Sequence, residues 1–90
     1  MKSMFLKSDQ ESANRELDCY GYCLNNAIEN FLKGDFEGAI RQHENIIRSL
    51  YALERMKQDK KAYDKAALIW EQIRADQYQK ELLVKLRGQI

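Results

Sequence analysis

Lys33-Gly34-Asp35-Phe36-Glu37-Gly38-Ala39-Ile40 is the stretch that decides the fold, because it ends one helix and begins another with almost no linker between them. Gly34 has no Cβ and so can take the positive φ that closes a helix, while Lys33 suits the negative end of the helix dipole. Asp35 offers a carboxylate to the exposed amides of the turn that follows, the usual office of a helix N-cap. The stretch predicts an αα-hairpin, and both of its arms can be followed outward by their apolar spacing.

Upstream, a first helix is expected from about Gln10 to Lys33. Leu17, Tyr20, Leu24, Ala27, Ile28 and Phe31 recur at helical spacing along it, with Asp18, Asn25, Asn26 and Glu29 largely off that stripe. Gly21 interrupts it as a soft point, suited to a bend or a close helix crossing. Downstream, a second helix runs from Asp35 to about Gln58, with Phe36, Ala39, Ile40, His43, Ile46, Ile47, Leu50 and Leu53 as one continuous seam. On its other face Glu37 with Arg41 and Glu44 with Arg48 stand at i,i+4 in the favoured direction, and Glu54 stands likewise before Gln58.

A third helix is expected to begin near Asp59, capped by that side chain, and to carry Ala62, Tyr63, Ala66, Ile69, Trp70 and Ile73 inward. Beyond it the polar run 74–80 either breaks the helix at Asp76, where Asp76 and Gln79 imitate a capping box, or lets it continue. The apolar stripe then resumes in a new phase at Leu82, Leu83, Leu86 and Ile90. The expected architecture is all-α, an antiparallel three-helix bundle with or without a short fourth C-terminal helix.

Ninety residues suit a single domain, 1–90, since so short a chain buries only about 60% of its unfolded surface. Residues 1–10 read as a loose N-terminal arm, with Phe5 and Leu6 available to fold back as an apolar latch. Hydrophobic residues make up 44% and charged residues 32%, a globular balance, and the absence of proline leaves long helices uninterrupted. Fifteen basic against fourteen acidic residues give a net charge of +1, so no global field draws the protein to nucleic acid or to an anionic membrane. The apolar run in 1–8 is too short for a signal peptide and no segment resembles a membrane span, which together predict a cytoplasmic protein with reduced cysteines.

Catalytic chemistry finds no purchase in the pattern. Cys19 and Cys23 are four apart, not the CxxC spacing of redox and zinc sites, and no second ligand pair accompanies them. They read as two reduced, partly buried thiols. His43 is the only histidine and falls on the apolar seam, where a neutral core imidazole is expected. No phosphate-binding Gly-rich loop, metal-binding His/Glu pair or nucleophile elbow is present. The expectation is a protein that is not an enzyme, with no cofactor and no metal site.

The residues Gly34, Asp35, Phe36, Ala39, Ile40 and His43, with Ala27 in the preceding helix, resemble the second half of a tetratricopeptide repeat. In that family a Gly-Asp-aromatic turn precedes a helix bearing Ala and a large residue. The resemblance covers about a third of the chain and implies a peptide-binding or scaffold role. Two features depart from the family: the internal echo between 36–46 and 63–73 has a spacing of 27 residues rather than 34, and the aromatic expected in the first helix falls on Asn30. The same turn is similar to that of small helical chaperones of flagellar and type III export, which hold a partner's helix in a groove.

Six rings, Tyr20, Tyr22, Tyr51, Tyr63, Tyr78 and Trp70, are too many to turn inward in so small a bundle. Tyr22, Tyr51 and Tyr78, with the terminal Leu82, Leu83, Leu86 and Ile90, are therefore the candidate contacts for another protein or for a second copy of the chain, as a homodimer. Arg55, Lys57, Lys60, Lys61 and Lys65 form a basic corner diluted by Asp59 and Asp64, and through it a nucleic-acid-associated regulator is the alternative. The leading expectation is an intracellular protein-binding module acting as an adaptor, chaperone or inhibitor. A phage-type inhibitor of host machinery has the same profile.

Overall fold

The computed structural model describes residues 4–88, which are helical almost throughout. A 3₁₀ turn, Lys7–Asp9, leads into α1, Gln10–Leu32, and after the 33–35 turn α2 runs unbroken from Phe36–Gly88. The chain divides into two compact units, Met1–Lys60 and Lys61–Ile90.

In the first unit the two helices are joined by the turn that the sequence predicts. Gly34 has φ of 78°. The Asp35 amide donates to the Asn30 carbonyl at 2.8 Å and the Gly34 amide to that of Phe31 at 3.0 Å, so the last carbonyls of α1 are satisfied in the six-to-one and five-to-two pattern of a Schellman motif. Asp35 then caps α2, its Oδ1 accepting from the Gly38 amide at 2.9 Å. Across the corner the Phe31 and Phe36 rings pack in a tilted arrangement, with centroids 5.9 Å apart and planes at 60°.

The seam between α1 and the start of α2 is built from small side chains. Ala13, Cys23 and Ala27 are buried on α1, and Gly38, Ala39, Ile46, Ser49 and Met56 on α2. Small residues let two helix axes approach closely, and the fit is tightest at Gly38. A Cβ there would collide with the Asp35 carboxylate and meet the Asn30 side-chain nitrogen at 2.9 Å. At the open end Phe5 folds back into a cluster with Ala13 and Met56, flanked by Ala52 and Leu53. The Gln10 amide fixes this approach by donating from Nε2 to the Phe5 carbonyl at 3.1 Å.

The three-helix bundle is not formed. No third helix starts at Asp59, and no fourth starts near Asp76, because α2 passes through both positions. Asp59 has the side chain of a cap but lacks a neighbouring residue that will leave the helical region: from Gln58 to Lys61 there is no glycine and no proline. Local bonds also hold the helix together just before that point. Glu54 pairs with Lys57 at 2.8 Å and accepts from Gln58 Nε2 at 2.8 Å. A cap worth about 1 kcal/mol does not offset breaking a helix among good helix formers. The residues expected to face inward from a third helix, Ala62, Tyr63, Ala66, Ile69, Trp70 and Ile73, are all exposed.

Gly21 marks no close helix crossing: α1 continues through it and nothing stands within 4 Å of where its Cβ would be. His43 is exposed on α2 rather than enclosed in a core. Among the described residues the pairs Glu37–Arg41 and Glu44–Arg48 do not come within ion-pair distance, in keeping with the small energy of exposed i,i+4 pairs.

Candidate protein-interaction surfaces

Helical periodicity merges two stripes of α2 into one seam, and the structure separates them. Ala39, Ile46 and Leu53 turn toward α1 and are buried or half-buried, whereas Phe36, Ile40, His43, Ile47 and Leu50 are exposed. On α1 the exposed Ile28 and Phe31, with the half-buried Leu17 and Leu24, make a matching stripe beside the buried Ala13, Cys23 and Ala27. Residues advance about 100° per position along an α-helix, and the two helices run antiparallel. In each helix the exposed stripe is displaced from the buried seam in the direction of increasing angle. Between antiparallel helices that sense places both stripes on the same flank of the hairpin, as one apolar face two helices wide.

The border of this face carries Asp18 and Glu29 on α1 and Glu37 and Glu44 on α2, all exposed, with Arg41 and Arg48 further round α2. The opposite flank carries Cys19, one turn from Cys23 in the buried seam. Cys19 is exposed and Cys23 buried, and their sulfurs lie 3.8 Å apart on consecutive turns. Burial pushes the Cys23 thiol up, with the hydrogen bond to Cys19 and the charge of its thiolate acting in the same direction. Among the described residues no third His, Cys, Asp or Glu joins them in a metal-binding group.

The second unit is a separate surface. Every described residue from Lys61 onward is exposed. Tyr63 and Trp70 stand one heptad apart and, with Ala66, Ala67, Glu71 and Arg74, line a shallow depression. Further along, Leu82, Leu83 and Leu86 project on adjacent turns with Lys85 and Arg87 beside them.

The remaining candidate residues are distributed over both units. Tyr22 and Tyr51 are exposed on α1 and α2 in the first unit, and Tyr78 is exposed in the second; Ile90 lies outside the described residues. Of the basic corner, Arg55, Lys61 and Lys65 are exposed, Lys60 is half-buried, and Lys57 is half-buried with its ammonium on Glu54. The sequence reading passed over Ile28, Phe31, Phe36, Ile40, Ile47 and Leu50 as surface residues. The signal for them is the width of the apolar arc on α2, which exceeds what one neighbouring helix can cover.

No family model, curated protein or solved structure matches the chain. No helix among the described residues is long and apolar enough to cross a membrane.

Proposed function

We propose that this chain is a small non-enzymatic protein-binding module, an adaptor, chaperone or inhibitor, which binds through the exposed aromatic and aliphatic residues of the second unit. One observation carries the reading: Tyr63, Leu68, Trp70, Tyr78, Leu82, Leu83, Val84 and Leu86 are all exposed on one helical stretch that buries no side chain of its own. Helices in proteins owe most of their stability to an apolar face packed on something else, and aromatic and leucine side chains on adjacent turns are the anchors used when a helix meets a protein groove. Their binding energy comes from desolvating rings and aliphatic chains, so it survives salt that would strip a phosphate contact.

The test is an affinity capture from a cytoplasmic extract at low and high salt, with wild type beside Leu83→Asp and Leu86→Asp. Protein partners retained at high salt and lost from both variants support the reading. Nucleic acid released by salt, and lost from the Lys60→Glu plus Lys61→Glu variant, would replace it with recognition through the basic corner.

A further inference from the structure

The apolar face of the hairpin is distinct from the surface just discussed, and its geometry indicates what covers it. Six of its side chains, Ile28, Phe31, Phe36, Ile40, Ile47 and Leu50, are each between 48% and 62% exposed. With about 150–200 Å² for a whole side chain of this size, they leave about 500–650 Å² of apolar surface open to water. A standard interface buries about 800 Å² per partner, and about two-thirds of that is apolar in homodimers. The face therefore has the apolar area that a stable pair of chains needs.

Its angle selects the number of helices. On α1 the stripe Leu17, Leu24, Ile28 and Phe31 is centred about 70° around the helix from the buried Ala13, Cys23 and Ala27, and on α2 the stripe Phe36 to Leu50 is about 120° from the centre of its buried positions, at 100° per residue. A helix in a three-helix bundle sees its two neighbours about 60° apart, and one in a square four-helix bundle sees them about 90° apart. A single added helix in the groove would cover the α1 stripe and leave the outer part of the α2 stripe wet, whereas a second two-helix face covers both.

The stripes are also level with each other. Asn30 lies beside Gly38 at the turn, and equal steps back along α1 and forward along α2 bring Leu24 level with about position 44. Leu24 is the midpoint of the α1 stripe, and His43 is the midpoint of the α2 stripe. Both apolar strips thus span the same height of the hairpin, as an isologous contact about a twofold axis requires.

We propose that a second copy of this chain docks on this face, the two hairpins closing a four-helix bundle with His43 as the polar position near its middle. The bordering Asp18, Glu29, Glu37 and Glu44 put acidic groups nearest the face in each copy, with Arg41 and Arg48 next to them on α2, so the rim offers no complementary charge to draw two copies together. Self-association is therefore driven by apolar burial, and screening of the rim leaves it unchanged or tightens it.

Sedimentation equilibrium of the full chain tests this. The 10.6 kDa chain is expected at about twice that mass. Ile40→Asp with Ile47→Asp is expected to weaken the pair by at least ~100-fold, since burying charges there costs several kcal/mol. His43→Leu, which retains a foldable chain, is expected to tighten it by roughly tenfold through added apolar burial. Tyr63→Ala with Trp70→Ala should leave it unchanged. A wild-type monomer at all concentrations, a dimer indifferent to the changes at 40, 43 and 47, or a dimer that dissociates as salt rises would each overturn the proposal. Partner capture by the second unit is read separately, through Leu83 and Leu86, so failure of one idea is distinguishable from failure of the other.

Discussion

The two units use the same residue types for opposite ends. In the first, the buried positions go to small side chains, Ala13, Cys23, Ala27, Gly38, Ala39 and Ser49, with Ile46, Met56 and Phe5 filling the remaining space. In the second, the large side chains Tyr63, Trp70, Leu83 and Leu86 face water, and none of them is buried. The first unit thus has interior contacts whose loss is felt in folding, while the second has a surface whose loss is felt in recognition. Apolar content alone does not separate these roles; what separates them is whether a second helix of the same unit lies opposite.

The sharpest way to break that contrast is to truncate one ring from each unit. Phe5→Ala empties part of the Ala13 and Met56 cluster and is expected to cost about 3 kcal/mol in chemical denaturation, whereas Trp70→Ala should stay within about 0.5 kcal/mol. Equal effects would mean that the second unit has an interior after all.

A finer comparison sets two glycines against each other. Gly38→Ala forces the Asp35 cap aside and should lower stability by about 1–2 kcal/mol. Gly21→Ala enters open space in a helix and should raise it by about 0.5–1 kcal/mol. Thermal melts of the two variants that moved in the same direction would contradict the packing described at one of these sites.

The smallest expected effect concerns the cysteines. The folded Cys23 thiol ionises above its ordinary range, so below about pH 8.5 both folded and unfolded chains hold the proton and stability is unaffected. As pH rises beyond that value the unfolded thiol ionises first, and stability falls until the folded thiol follows. Urea melts from pH 7.5 to 9.5 should show this decline in wild type and a shallower one in Cys23→Ala. Alkylation at neutral pH should modify the exposed Cys19 ahead of Cys23.

The hairpin corner was legible because its chemistry is local. Gly34, Asp35 and Phe36 determine a turn, a cap and a ring contact within a few residues, and no distant contact overrides them. The helix that was expected to start at Asp59 shows the converse: a capping side chain permits a helix to begin there, but only a residue able to leave the helical region compels a break. Asp76 is the same case. The split of the α2 seam was hidden for a different reason. Ala39 and Ile40 differ by one position, and a periodic pattern scores both as apolar while only one of them meets α1. His43 fell with its neighbours on the wrong side of that division. The exposure of Tyr22 and Tyr51 was easier to read, because each stands off the apolar spacing of its own segment.

The three-residue turn also has a consequence in time. Closing so short a loop involves little chain entropy, and every pair of residues across the hairpin seam is then brought together in order of distance from Gly34. On that account Asn30 is expected to meet Gly38 before Ala27 meets its partners, with Phe5 reaching Met56 last of all. Contacts that lengthen stepwise from a corner give a low contact order, the regime in which helical domains fold in microseconds to milliseconds. The first unit should therefore close like a zip, with its N-terminal phenylalanine as the final tooth.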